Sequence, residues 1–146
     1  MRIFNAAIKY CLLLQCTLSL SFSQYDGDGN VRKGVDAFFN YEFEKSIETL
    51  SAARAEHIEH PVVHLVWAAA WYHYDQSKFS ADRVYENFEN RLNEVEHLYD
   101  SLVIAAPDNA EYLLYLGASQ SLKARIYLGQ KKYLYTLYVA YQGFKS

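Results

Sequence analysis

Three histidines crowd into one octapeptide, HIEHPVVH at residues 57–64, and imidazoles so close together could hold zinc. His57, His60 and His64 stand at i, i+3 and i+7, which share a face only on an unbroken helix. Pro61 breaks that register, so His60 and His64 belong to different helices, and no HExxH or other ligand spacing completes a set. His73 and Asp75 could orient a general base, but no nucleophile elbow accompanies them. Their place at a helix end suits a histidine favoured by the C-terminal dipole. Glu42, Glu44 and Glu48, then Glu86, Glu89, Glu94 and Glu96, offer carboxylates without the opposed pair that glycoside hydrolysis needs, and they read as solvated helix faces. Asp26, Asp28 and Asn30 have the oxygen spacing of a calcium loop, yet Val31 and Ala37 stand where that loop needs Gly and Glu. The sequence therefore points to no catalytic residue, no metal and no cofactor, and the expectation is a non-enzymatic protein.

A different chemistry gathers in the C-terminal third. Seven of the chain's 14 tyrosines lie between Tyr112 and Tyr141, with Lys123, Arg125, Lys131 and Lys132 among them. Tyrosine and arginine favour interaction surfaces because they combine contact area with a polar handle. One reading is a groove for a peptide or protein with acidic character. The other is that these tyrosines pack between the last two helices or against a further repeat. Single-stranded nucleic acid is bound by similar residues, but the net charge of -3 and the export signal described next argue against it.

Arg2 and Lys9 precede an apolar stretch at residues 11–22, and Ser21 and Ser23 sit at the -3 and -1 positions before Gln24. A positive start, an apolar middle and a small-x-small site read as a secretory signal over residues 1–23. The stretch is too short for a membrane span of about 20 apolar residues. Gln15 before Cys16 is not the small residue that lipoprotein processing needs. Both cysteines lie in this segment, so an exported chain would hold itself by apolar packing, without disulfides. A periplasmic or secreted protein is expected, with a net charge of -5 after loss of Arg2 and Lys9.

Those side chains must be positioned by helices. With 51% hydrophobic and 21% charged residues, the 146-residue chain can build one core. After a polar leader at residues 24–30, Val31, Val35, Phe38 and Phe39 make the apolar face of a short helix. A second helix runs over 43–59 on Phe43, Ile47, Leu50 and Ala53. Pro61 starts a third, over 61–75, that is apolar nearly all round and should lie at the centre. Ser80 can cap a fourth, a helix of about 22 residues and about 33 Å along which Tyr85, Phe88, Leu92, Val95, Tyr99 and Leu102 recur at spacings of three and four. A turn at 107–109, with Asp108 or Asn109 as cap, leads to a helix over 110–128 with Gly129 at its end, and a last helix covers 131–144. Six helices and no strand are the expected fold class.

The spacing also repeats. Gly34 supplies a small residue on a first helix, while Ser46, Leu50 and Ala53 alternate small and large on a second. This pair resembles a tetratricopeptide repeat, and Ala68 with Trp71 starts a second unit 34 residues after Gly34. Gly117 starts a third, 49 residues on, and departures occur at Ala37 and Gln120, where the motif has aromatics. The resemblance covers about residues 31–144. The proline-started helix with two tryptophans is also similar to one in a class of exported helical-repeat proteins whose members often run further C-terminally, which would make this chain a short member or a fragment. The alternative is a generic six-helix bundle. The resemblance implies antiparallel helix pairs stacked as a right-handed superhelix, with a concave surface that binds protein or peptide. Val35, Phe38, Ala69, Tyr72, Ala118 and Ser121 would line it. Tyr112, Tyr115, Arg125, Lys131, Lys132 and Tyr135 are the candidate anchors beside it. A homo-oligomer, in which the tyrosine-rich last helix docks on another copy, is the second expectation. A small-ligand or metal site using the histidines and Trp67/Trp71 is the third.

Overall fold

A computed structural model describes residues 29–145; the signal-like segment, both cysteines and Asp26 and Asp28 lie outside them. The described residues form six α-helices without a strand: α1 (Gly29–Phe39), α2 (Phe43–Glu56), α3 (Pro61–Gln76), α4 (Ala81–Ala105), α5 (Ala110–Gly129) and α6 (Tyr133–Lys145). The all-α class and the number of helices are as expected. Each helix packs on the next, and α3 also touches α1 and α5. The molecule is thus a row of helix pairs with α3 at its middle.

The α1–α2 pair meets at a close approach. Gly34 faces Leu50, and a Cβ on Gly34 would fall 2.5 Å from the Leu50 side chain. The Ser46 hydroxyl donates to the Gly34 carbonyl at 2.8 Å, and Ser46, Leu50 and Ala53 are all fully buried. The buried face of α1 is Val31, Gly34 and Ala37, with Val35 and Phe38 at its margins. The expected face included Phe39, which instead points to water at 70% exposure. Phe39 is two residues past Ala37, a rotation of about 200° that carries it off the buried stripe.

Helix α2 ends three residues before its expected limit. His57 N–H closes the last turn on Ala53, and His60 N–H bonds back to His57, so residues 57–60 form a turn that delivers Pro61 to the first position of α3. Helix α4 has 25 residues, three more than the length of about 22 expected. Its seam is buried at Phe88, Leu92, Val95 and Tyr99, with Val84 added. Ser80 stands at the cap position of α4 but makes no side-chain cap bond. At α5 the cap is Asn109, whose side chain accepts from the backbone N–H of Glu111 and Tyr112. Gly129 lies inside α5, and Lys131 takes the left-handed conformation (φ 60°) that turns the chain into α6. A Cβ there would meet the Tyr85 hydroxyl at 2.8 Å, so any other residue would displace the end of the Tyr85 side chain. Helix α6 starts two residues later than expected, at Tyr133. It lies close on α5, where a Cβ on Gly117 would come within 3.0 Å of the Gly143 carbonyl.

Polar ties lock the row. Arg54 of α2 lies 3.7 Å above the Trp67 ring, donates from Nε to His64 Nδ1 at 3.1 Å, and pairs with Glu94 of α4. Glu96 pairs with Lys123 of α5, and the Tyr127 hydroxyl donates to Glu89 at 2.7 Å. Three carboxylates expected on solvated faces therefore join α4 to its neighbours. Burial pushes the Tyr127 phenol up, and its bond to Glu89 acts in the same direction.

His64 is buried, with Nε2 2.8 Å from the Ile58 carbonyl. A carbonyl only accepts, so Nε2 carries the proton and Nδ1 accepts from Arg54, which is the neutral imidazole. Burial lowers its pKa to about 4; the Ile58 bond opposes that and the Arg54 charge adds to it. The unfolded chain takes up this proton near pH 6.5 and the folded chain does not, so stability is complete above that pH and falls as pH drops towards about 4. The full shift is worth about 3 kcal/mol, and residual solvent screening reduces it to about 2 kcal/mol. Urea unfolding between about pH 7 and pH 4 is expected to show that loss, and His64→Gln, which cannot titrate, is expected to remove this part of the slope. Identical pH profiles for wild type and variant would contradict the assignment.

Candidate functional site

The largest expectation for binding lay on the odd-numbered helices, and α3 and α5 do enclose a cleft with α4 as its floor. It has a volume of about 420 Å³. Tyr72 and His73 come from α3, Tyr85 and Phe88 from α4, and Leu122, Arg125 and Leu128 from α5. The Tyr72 and Phe88 rings lie 4.6 Å apart and form an apolar floor. His73 continues an aromatic row: its ring is 5.3 Å from Tyr72 and stacks on Phe43 at 5.0 Å, with Phe38 5.9 Å away. Gly129 gives Tyr85 its room at the far wall. The Arg125 guanidinium is exposed at the rim and makes no ion pair or hydrogen bond among the described residues.

An aromatic floor with an exposed arginine at its edge can take an apolar side chain and a carboxylate together. The ring burial supplies contact area, and Arg can bind the carboxylate with two parallel hydrogen bonds.

The other candidates are dispersed. Ala69 lines the same cleft as Tyr72 and Arg125. Val35 packs at the edge of the α1–α3 core, and Phe38 belongs to the aromatic row. Ala118 and Ser121 line a second groove, of about 500 Å³, with Leu113, Gly117 and Gly143, and the Ser121 hydroxyl is turned back onto the Gly117 carbonyl. Tyr112 is half-buried in the first turn of α5, and Tyr115 lies 6.1 Å from Tyr99, where burial raises its pKa. Lys131 and Lys132 are exposed at the α5–α6 turn; Lys132 reaches over the Tyr127 ring at 5.5 Å, and Tyr135 is 5.8 Å from Tyr127. The tyrosines divide accordingly. Tyr112, Tyr115 and Tyr127 are half-buried, whereas Tyr133, Tyr135, Tyr138 and Tyr141 are exposed.

The histidine cluster is divided between the turn and α3, and no group of three His, Cys, Asp or Glu among the described residues could hold a metal ion. His73 and Asp75 do not pair. His73 Nδ1 meets Gln76, while Asp75 turns inward to Arg91 at 2.8 Å and Asn87 at 3.0 Å. Their i, i+2 spacing places them about 200° apart on α3. Residues of the cleft that the sequence did not single out are Gln76, Leu122, Ile126 and Leu128, while His73 and Tyr85 were read in other roles; the Gly129–Tyr85 approach comes from α4 and α5 crossing there, which no local spacing encodes.

No family model, curated protein or solved structure matches the chain. No helix among the described residues is long and apolar enough to cross a membrane.

Proposed function

We propose that this is an exported helical-repeat protein that binds a segment of another protein in the α3–α5 cleft, without covalent chemistry. The observation that carries the reading is the Arg125 guanidinium, without an ion pair or hydrogen bond among the described residues, at the rim of the Tyr72–Phe88 floor. The ligand that fits is a peptide with one large apolar residue flanked by Asp or Glu. The contacts of α3 with both α1 and α5 support a tetratricopeptide-like stack, in which the first helices of successive pairs share one surface. The sequence features of residues 1–23 support export.

The test uses labelled peptides with a central Phe or Leu among acidic residues, and matched peptides with lysines in place of the acids. The acidic set is expected to bind and the basic set not to. Arg125→Glu is expected to weaken acidic-peptide binding at least about tenfold, since a hydrogen bond to a charged group contributes about 1.5–3 kcal/mol. Arg125 is exposed, so its replacement leaves the fold intact. Equal affinity of wild type and variant for the acidic set would remove the cleft from the binding reaction.

A further inference from the structure

Helix α6 buries little of itself. The face containing Thr136, Val139 and Gly143 lies towards α5, and the other face is open. On the open side Tyr133, Leu134, Leu137, Tyr138, Tyr141 and Phe144 fall within an arc of about 140° at 100° per residue. Their exposures run from 60% at Tyr133 to 90% at Phe144. At about 200 Å² for a large side chain, the six present about 800 Å² of mostly apolar surface. That exceeds the largest patch of a typical monomer, about 300–600 Å², and equals what one partner contributes to a standard interface.

The pattern within the arc specifies the shape of what covers it. Leu134, Leu137, Tyr141 and Phe144 are spaced 3, 4 and 3, the repeat by which two helices interlock along a seam. The complement is another helix with an uncharged seam of the same kind. Between Tyr133 and Phe144 there is no charged residue, so no ionic pattern selects a different partner. The opposite end of the row differs: α1 presents Arg32, Lys33 and Asp36 to water, with Phe39 at its end the single exposed large apolar side chain of that helix. A head-to-tail stack of α6 on α1 would set apolar residues against those charges, whereas α6 against α6 matches like with like. A surface that complements itself closes as a two-fold dimer. Direction follows from charge. Parallel helices would bring four lysines, Lys131 and Lys132 from each copy, and both positive helix ends together; antiparallel helices set each lysine pair beside the partner's negative helix end, where one lysine, Lys145, stands instead of two.

We infer that α6 is the interface of a two-fold homodimer, pairing antiparallel with α6 of a second copy through the Leu134–Leu137–Tyr141–Phe144 seam. The α3–α5 cleft contains no α6 residue and stays open in this arrangement.

Light scattering of the full chain over a dilution series tests it. The expected mass is twice that of one chain, which is 16.9 kDa with residues 1–23 retained. The double variant Leu137→Glu, Tyr141→Glu is expected to fall to the single-chain mass with unchanged helical circular dichroism, because both side chains face outward. Chains carrying Leu134→Cys and chains carrying Phe144→Cys, each with Cys11 and Cys16 changed to Ser, are expected to crosslink with one another and not with themselves. A wild type of single-chain mass at every concentration overturns the inference, including the case in which another segment of the same chain covers the seam. So does a double variant that keeps the doubled mass, or a Leu134→Cys chain that crosslinks to itself.

Discussion

Arg91→Ala is expected to destabilise the fold by about 3–5 kcal/mol, measured by urea unfolding, because it strands a buried carboxylate. Asp75 lies in the last turn of α3 with its side chain 2% exposed. Its carboxylate accepts from Arg91 at 2.8 Å and from Asn87 at 3.0 Å, both on α4. The negative end of α3 disfavours an acid at that position, so Asp75 depends on Arg91 more than a carboxylate elsewhere would. Arg91 is held in turn by the Trp71 ring, 4.5 Å below its guanidinium. Asp75→Ala is expected to be nearly as harmful, since it leaves the guanidinium without its counter-charge. Replacing both by apolar residues, Asp75→Leu with Arg91→Met, is expected to recover most of the loss, because the desolvation of two charges is then removed together. A single-variant loss below about 1 kcal/mol would mean that the pair is open to water in solution.

That pair also shows where the sequence stopped being readable. His73 and Asp75 are close in the chain, and closeness suggested a shared role. The helix turns them apart, and the true partner of Asp75 lies 16 residues away on a different helix. The same holds for Glu89, Glu94 and Glu96. Each looks like an ordinary acid on a long helix, yet each meets a group on α2 or α5. Nothing in local spacing reports which outward-pointing acid will meet a cation after the helices pack. By contrast, Gly34, Ser46, Leu50 and Ala53 were legible, because period and side-chain size act within one helix pair and the pair forms between neighbours in sequence. Pro61 was legible for a similar reason: a fixed φ and a missing N–H suit the first position of a helix whatever surrounds it.

The site lies between these extremes. Tyr72 and Ala69 were found from their register on α3, and Arg125 from the basic cluster of the last third. What periodicity did not supply is that Arg125 and Tyr72 share a cleft while Ser121, four residues before Arg125, opens into another groove. Residues four apart on α5 lie about 40° apart, enough to place them on either side of a helix ridge. Helix α6 posed a separate problem. Its tyrosines are spaced for packing and also composed for binding, and the sequence could not say which of its two faces α5 would occupy. Gly117 and Gly143 decide it, by letting the two backbones come together on one side only.

Tyr99→Ala is expected to cost about 3–5 kcal/mol, and Tyr99→Phe about 1–2 kcal/mol, when unfolding is followed in urea. Tyr99 is the largest fully buried side chain described and stands where three helices meet. From α4 its hydroxyl donates to the Pro61 carbonyl in the first turn of α3 at 2.5 Å, and its ring lies near Tyr115 of α5. Burial pushes the phenol far up, and the nearby Tyr115 adds to this, so the donor keeps its proton at neutral pH. The two variants separate two contributions. Phenylalanine keeps the ring in its cavity and removes one hydrogen bond, whereas alanine also empties the space on which Leu92, Val95 and Leu116 close. If α4 serves as the floor that fixes α3 against α5, the alanine variant should also lose peptide binding at concentrations of urea where the wild type still binds. An alanine variant as stable as the phenylalanine one would mean that the surrounding helices close the space, and that the meeting point of α3, α4 and α5 is plastic rather than packed.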